Sequence, residues 1–340
     1  MKVNIVGCGL SGIVAAILLK DQGHSVEIFE TRSHIGGNCF DGVLNNVMVH
    51  QYGSHIFHTN SDEVWEFLNR YTSFNGYTHR VEANTDRGRI SIPYNKKTEE
   101  QLGTELSPEE IRDLVFVKYS ERHWGVPWDQ LPKSISSRVP NKRDDWDDRY
   151  FTDKYQGIPS LGYTKMMENM LDGITVHTGV PHNEWRKWMD GMYSCDKLIF
   201  TGKVDDFFEN CYGHLPYRSL KFEHTVIPKS ESECSWDKGA IINECGDAPF
   251  NRTTDNSVFL NEQVSETVMT RDYPQQHVPG KNLAIYPMNF GEGRDIYMKY
   301  KKAADSHGNV IFLGRLATYK YLDMWMAIQQ VFRKIGLGAF

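Results

Sequence analysis

The sequence of 340 residues predicts an α/β fold: a parallel sheet assembled from separated stretches of chain, with a small helical segment and an antiparallel sheet inserted between them. Three observations carry this expectation. An apolar run, Val3-Asn4-Ile5-Val6, enters the turn Gly7-Cys8-Gly9-Leu10-Ser11-Gly12, and residues 13–19 then supply a helical apolar face. A second apolar strand, residues 25–29, ends at Glu30, a carboxylate at the end of the second strand of a β-α-β unit. Near the other end, Val310-Ile311-Phe312-Leu313-Gly314-Arg315 reads as a further buried strand ending in Gly, with a helix over residues 323–334.

Each glycine of the first turn has a physical task. Gly7 permits the tight bend, Gly9 lets backbone approach a pyrophosphate, and Gly12 lets the helix pack close to the strand. Leu10 and Ser11 open that helix, whose N-terminal dipole faces the anion. Glu30 stands at about the ~20-residue distance at which a carboxylate binds ribose hydroxyls. The glycine spacing alone is a weak signal, but strand, turn, helix, second strand and acidic end in order define a Rossmann-like domain. These are contacts to ADP, common to NAD and FAD. The sequel, Thr31, Arg32, then Gly36-Gly37-Asn38, tips the choice to FAD. It resembles the extension of the second glutathione-reductase-type flavoprotein class, in which a further glycine pair lies along the dinucleotide.

Bulk properties exclude several classes. Hydrophobic residues make up 40% and charged residues 24%, as in a soluble globular protein, and the length suits two or three interlocked domains. No apolar run approaches the ~20 residues of a membrane span, and Lys2 leads straight into a strand rather than a signal peptide. A net charge of −6 argues against nucleic acid or an anionic membrane as partner. The six cysteines are scattered without a C-x-x-C pair, which predicts reduced thiols, a cytoplasmic location and no structural zinc. His50, His55 and His58 invite a metal reading. No Cys or acidic cluster joins them, however, and an extended backbone would scatter their side chains, so no metal is expected.

Between the two nucleotide-binding ends, residues 47–58 read as extended chain and 62–71 as a helix. Residues 80–83 and 89–93 form a hairpin around Asp86-Arg87-Gly88. Ser107-Pro108-Glu109-Glu110 is an N-cap signature for a helix running toward Tyr119. Residues 138–154 are polar and without apolar periodicity, as in an exposed, mobile loop. A helix at 162–171, a strand at 174–177 and a strand over 197–202 ending in a Gly turn follow, and 220–286 is mostly strands. The expected division is a discontinuous FAD domain (1–70, 155–214, 305–340), a helical segment (96–130), a mobile loop (131–154) and a β-sheet substrate domain (71–95, 215–304).

Longer segments narrow the reading. They are "VMVHQYGSHIFHT" from Val47, "HWG" from His123, "LPKSISSRVP" from Leu131 and "DDRYF" from Asp147. Further on come "YQGIPSLGYTKM" from Tyr155, "APFNRTT" from Ala248 and "FLGRLATYKYLDM" from Phe312. In this order, over nearly the whole chain, they resemble the UDP-galactopyranose mutase family of bacterial type. The resemblance implies interconversion of UDP-galactopyranose and UDP-galactofuranose with no net redox change. It implies a reduced FAD whose N5 bonds to the sugar anomeric carbon and displaces UDP, with NAD(P)H as an external reductant.

The same resemblance assigns residues. Arg138, on the mobile loop, and Arg252, on the sheet, match the two diphosphate arginines; a departing diphosphate favours Arg over Lys because its charge and forked donors are fixed. A loop-borne arginine closing over the substrate would exclude water while UDP is detached. Tyr119 matches the uracil stack and Trp124 a second nucleotide-side aromatic; Tyr150, Tyr286 and Tyr321 match tyrosines that hold the phosphates and shape the sugar site, and Asn243 joins the substrate residues. Gly53, His55 and His58 are implied to face the flavin ring. Arg315 is implied to reach the FAD pyrophosphate and Asp323 the active-site edge. His55 and Tyr321 count as catalytic with the two arginines. Taken singly, each Arg could make a surface ion pair and each Tyr a packing contact.

Some positions depart from the family. The insert between Pro93 and Trp124 is short; it usually contributes to nucleotide binding and to the dimer contact, so a homodimer is left open. Ser54 replaces the usual Pro, His79 stands where Asn is usual, and Asp272 where Glu is usual. Such changes bear on which sugar is accepted, UDP-arabinopyranose being an alternative to UDP-galactopyranose. A flavin-dependent oxidoreductase and a non-catalytic nucleotide-binding protein on the same fold are the competing readings.

Overall fold

Strand Lys2–Val6 is the hub of a five-stranded parallel sheet in the computed structural model, which describes residues 1–136, 143–181, 184 and 194–336. It pairs with Ser25–Phe29 on one side and Lys197–Phe200 on the other, placing Ile5 level with Ile28 and Ile199. Thr175–His177 and Val310–Phe312 form the two edges. Helix Leu10–Asp21 has Ile13, Val14, Ala15, Ala16 and Leu19 without solvent exposure. It is apolar nearly all round because it lies between this sheet and the helices Tyr163–Met170 and Met324–Ile335.

The second sheet has seven strands. Their order is Tyr286–Pro287, Tyr217–Pro228, Glu266–Gln276, Arg252–Asp255, Ile241–Glu244, Val81–Thr85 and Gly88–Ile92. Neighbours run antiparallel except Ile241–Glu244 beside Val81–Thr85, which is parallel. The register sets one row directly across the sheet: Phe222, Asp272, Arg252, Asn243, Ala83. Residues opposite one another share a face, so Arg252 has Asn243 and Asp272 as immediate neighbours.

The helical segment begins as its cap signature predicts. Ser107 and Glu110 form a capping box at Pro108–Ile111, and the chain continues through a π-helical turn, Arg112–Val117, into Lys118–Trp124. That helix ends at Gly125, whose φ is +69°. The buried Arg218 satisfies its last carbonyls, donating Nε to His123 O at 2.8 Å and Nη2 to Arg122 O at 3.1 Å. A Cβ at position 125 would lie 2.6 Å from Arg218 Nη1, so the glycine is what lets the arginine in.

Two features differ from the expectations. The extended stretch 47–58 is two strands, Val47–His50 and Phe57–Thr59, separated by a turn in which Gly53 has a φ of +90°. Helix Lys96–Leu102 lies within the stretch expected to be helical, and helix Gly291–Asp305 lies where none was anticipated. The second opens Gly-Glu-Gly and buries tyrosines rather than aliphatic residues: Tyr297 and Tyr300 pack with Leu215, Tyr217 and Tyr319. Of the predicted mobile loop, residues 137–142 lie outside the described residues. Among the described residues no helix is long and apolar enough to cross a membrane.

Ile13 is fully buried at the helix–sheet interface, and Ile13→Ala is expected to destabilise the fold by about 2–5 kcal/mol. Urea unfolding checks this as a lowered midpoint at unchanged slope.

Candidate active site

A cavity of about 900 Å³ opens at the carboxyl ends of the parallel strands. Gly7, Gly9, Leu10, Ser11, Glu30, Thr31, Arg32, Gly37, Asn38, His55, Arg315 and Asp323 all line it, together with Cys39, Thr201, Gly314 and Met324, which sequence reasoning did not single out. Gly7 has a φ of +100°, and a Cβ there would lie 2.1 Å from Thr201 Oγ1. A Cβ on Gly37 would come within 2.9 Å of Gly9 Cα. The result is a patch of bare backbone at the start of helix Leu10–Asp21. Gly12 sits behind it: a Cβ would strike Gly7 O at 2.1 Å, so its part is to let the helix start against the turn.

Side chains complete the cradle. Glu30 accepts from the backbone N–H of Cys8 at 2.7 Å and of Arg32 at 2.9 Å, leaving lone pairs for a hydroxyl. Burial, and then the Glu30 charge, push the Cys8 thiol up to about 12, which makes it an inert packing group. Arg32 donates Nη2 to Asn38 Oδ1 at 2.8 Å and lies 4.4 Å over the Tyr52 ring, while its Nη1 is buried with no hydrogen-bond partner. An orphaned guanidinium nitrogen beside a glycine cradle fits a dinucleotide phosphate.

His58, expected to face the flavin ring, is not among the residues that line this cavity. Alternation along Phe57–Thr59 buries Phe57 and Thr59 and turns His58 the other way. There its Nδ1 meets Asp153 Oδ2 at 2.9 Å and its ring stacks on Phe151 at 3.7 Å. His55 does reach the cavity; its Nδ1–H donates to Gly53 O at 2.7 Å and its backbone N–H donates to His50 Nδ1. Ser54 is tied to Thr254 by a 3.0 Å hydroxyl–hydroxyl hydrogen bond.

A second centre adjoins the first. Arg252 Nη2 stands 2.8 Å from Asp272 Oδ2, with the arginine side chain 20% exposed and the aspartate 1%. Arg252 Nε and Asp272 Oδ1 are buried without hydrogen-bond partners. Burial pulls the Asp272 carboxyl up despite Arg252. Burial opposes the Arg252 charge, but Asp272 and the oxygens of Tyr119, Tyr286 and Tyr321 outweigh it and keep the guanidinium well above its usual range. Burial likewise raises Tyr119 and Tyr286, and takes Tyr150 up to about 12, so these phenols stay protonated donors.

The rings are mutually braced. Tyr286 lies 5.5 Å from Tyr321 and 4.7 Å from His123. Trp124 is 5% exposed and packs edge-on to Tyr286, Tyr321 and Phe290, so it backs the tyrosines and has no open face; Tyr119, on the same helix, is half-buried. Arg315 joins the two centres: it lines the cavity, and its guanidinium carbon lies 5.1 Å from the Tyr321 ring and 5.5 Å from Tyr286. Asn243 stands beside Arg252 in the cross-sheet row. Arg138 lies outside the described residues. Among the described residues no group of three or more His, Cys, Asp or Glu could hold a metal ion.

The cradle and the acidic strand end define a dinucleotide-binding α/β protein, and residues 5–71 match the NAD(P)-binding Rossmann-like domain. The profile described as UDP-galactopyranose mutase matches residues 114–321. Two curated relatives span almost the whole chain. The dTDP-fucopyranose mutase of Escherichia coli is 32% identical, covering 97% of this chain and 96% of its own length. A probable UDP-galactopyranose mutase of Klebsiella pneumoniae is 33% identical, covering 98% and 93%. Among solved structures, a reduced UDP-galactopyranose mutase shares the fold with a TM-score of 0.76 at 15% identity, covering 100% of this chain and 94% of that one. The chain belongs to the UDP-galactopyranose mutase family, and is an isomerase by that membership.

Burial pushes His50, His55, His79 and His123 each down to about 3; His50 adds to this at His55, and Arg252 adds at His79 and His123. All four rings are neutral when folded, whereas unfolded histidine titrates at about 6.5. Between those values the unfolded chain binds more protons, so stability falls as pH drops from about 6.5 toward 3. Urea titrations at stepped pH are expected to register this loss already between about pH 6.5 and 5, above the usual carboxylate range. A flat profile there would contradict the buried neutral rings.

Proposed function

We propose that this chain interconverts the pyranose and furanose forms of a nucleoside-diphosphate sugar, UDP-galactose first, with reduced FAD in the parallel-sheet cavity and no net redox change. The observation that carries the reading is a desolvated arginine among tyrosine hydroxyls, joined through Arg315 to a dinucleotide cradle. A simple oxidase would have no need of such a diphosphate site. On this reading residues 1–70, 155–214 and 305–340 serve the cofactor, and 71–95 with 215–304 serve the sugar nucleotide.

When bound and reduced, the flavin supplies a nucleophilic nitrogen, N5, for the sugar anomeric carbon. The chain supplies the rest. Arg252, with its unpartnered Nε, holds the expelled diphosphate close enough to return. Tyr150, Tyr286 and Tyr321 line its site, and the raised phenols of Tyr150 and Tyr286 keep a proton to donate to phosphate oxygens. Asn243 borders the same row, and Tyr119 offers a ring for the base, a contact typically worth about 1–3 kcal/mol. Arg138 is the second clamp on the strength of its motif. Neutral His55 borders the cofactor with its Nδ1 proton committed to Gly53, which leaves Nε2 able to accept a hydrogen bond. Reduced nicotinamide is the expected external reductant.

The relative named for dTDP-fucopyranose favours a second reading of the substrate, a dTDP-linked 6-deoxy sugar, at the same site. Incubating reduced protein with UDP-galactofuranose and separating the nucleotide sugars by chromatography tests the main reading. UDP-galactopyranose is expected from the reduced form alone, and activity confined to the oxidised form would favour an oxidoreductase. Stronger competition by dTDP-fucopyranose than by UDP-galactopyranose would move the assignment to the second sugar. Arg252→Ala is expected to lower turnover by about 100-fold or more, with no recovery in Arg252→Lys.

A further inference from the structure

The cavity at the strand ends is lined by more than its glycine cradle. Two further loops border it, residues 201–214 after strand Lys197–Phe200 and residues 277–284 after strand Glu266–Gln276. They contribute Lys203, Asn210, His277, Pro279, Leu283 and Ala284. Two polar atoms of this set, His277 Nε2 and Asn210 Oδ1, are buried without a hydrogen-bond partner among the described residues.

The backbone fixes which His277 nitrogen holds the proton. Asn282 Oδ1 accepts the Val278 N–H at 2.8 Å, and Asn282 Nδ2 donates to Gln276 O at 2.9 Å. The oxygen is therefore the atom that faces His277 Nδ1 at 3.0 Å, and it can only accept, so Nδ1 carries the proton. Burial, and then Lys203, hold the ring below its usual range, which keeps it neutral and makes Nε2 an acceptor. Asn210 is pinned as well: its N–H donates to Asp205 O at 2.8 Å and its carbonyl accepts from Gly213 N at 2.8 Å. Two buried acceptors on one cavity are costly unless a ligand supplies N–H or O–H donors.

The neighbours narrow that ligand. Lys203 Nζ lies 2.9 Å from Asp206 Oδ1 on a side chain 15% exposed, and one ion pair does not exhaust three donors. Pro279, Leu283 and Ala284 add an apolar wall, with Leu283 39% exposed. Neutral acceptors for amino and hydroxyl groups, a cation for phosphate and a wall for a flat ring describe an adenosine nucleotide.

We infer that these two loops dock the adenosine half of a reduced nicotinamide dinucleotide, the donor that reduces the flavin. The inference rests on the reading above, in which turnover consumes no electrons and the cofactor is reduced from outside. The sequence has one G-x-G-x-x-G turn, which the cofactor takes, so a second dinucleotide needs a site of another kind. The transfer is of a hydride: two electrons and a proton pass from the nicotinamide ring to the oxidised isoalloxazine, and the nicotinamide leaves as its oxidised cation.

Anaerobic stopped-flow bleaching of the flavin by NADH and by NADPH, on FAD-loaded protein, tests this. His277→Phe and Asn210→Gly, which suits the left-handed φ of +58°, are each expected to raise the half-saturating dinucleotide concentration by about 5-fold, as for one neutral hydrogen bond. His277→Gln, which keeps an acceptor near the Nε2 position, is expected to recover most of the loss. Bleaching by dithionite and dithionite-started conversion of UDP-galactofuranose are expected to stay unchanged in all three, which a merely structural role would not allow. In the unaltered protein AMP is expected to compete with the dinucleotide.

Unchanged half-saturation in both His277→Phe and Asn210→Gly would overturn the proposal. So would competition by UDP without competition by AMP, since the donor would then enter by the sugar-nucleotide site, and so would a flavin that neither dinucleotide reduces. Failure of the parent reading is separate: it shows as no conversion of UDP-galactofuranose by the unaltered protein after dithionite.

Discussion

A guanidinium largely withdrawn from water, answered by one carboxylate across a strand pair, is the condition on which the site rests. Burying two charges costs several kcal/mol per ion unless geometry and further hydrogen bonds compensate. Here the compensation is partial: Arg252 and Asp272 meet through Nη2 and Oδ2, while Arg252 Nε and Asp272 Oδ1 go without. Such a pair is poor as a stabilising device. On the proposed reading it serves as a receptor, because an incoming diphosphate would meet a charge already withdrawn from most of its solvent at a place the sheet register fixes.

The surroundings keep that charge in place. Tyrosines and Trp124 exclude water, and the helix bearing Tyr119 and Trp124 is fastened by Arg218, an arginine spent on capping carbonyls rather than on ligand. Arg315 has a foot in both halves, bordering the dinucleotide cavity and lying against Tyr286 and Tyr321.

What could be read from sequence was local in its physics. The glycine turn, the Glu30 strand end, the capping box at Ser107 and the hairpin about Arg87 each depend on residues a few positions apart. Gly7, Gly9, Leu10, Ser11 and Glu30 converge on one cavity because one β-α-β unit dictates where they go. The parts not legible depend on distant partners. Nothing near Arg252 says that Asp272 will stand opposite, nothing near His58 says that Phe57 and Thr59 will claim the buried side, and nothing near Trp124 says that tyrosines will cover its faces. Helix Gly291–Asp305 was missed because its buried stripe is tyrosine beneath a glycine-rich start, a weak apolar period.

The strand arrangement also governs how the polypeptide can be made. Lys2–Val6 is made long before Lys197–Phe200, one of its flanking partners, and the sheet closes only with Val310–Phe312. Val81–Thr85 likewise waits for Ile241–Glu244. At about 5–20 residues per second, each of these early strands stays without one of its two neighbours for many seconds of translation. Nascent chains of this topology spend that interval with open edges, which makes them natural clients of chaperones until their last third has been synthesised.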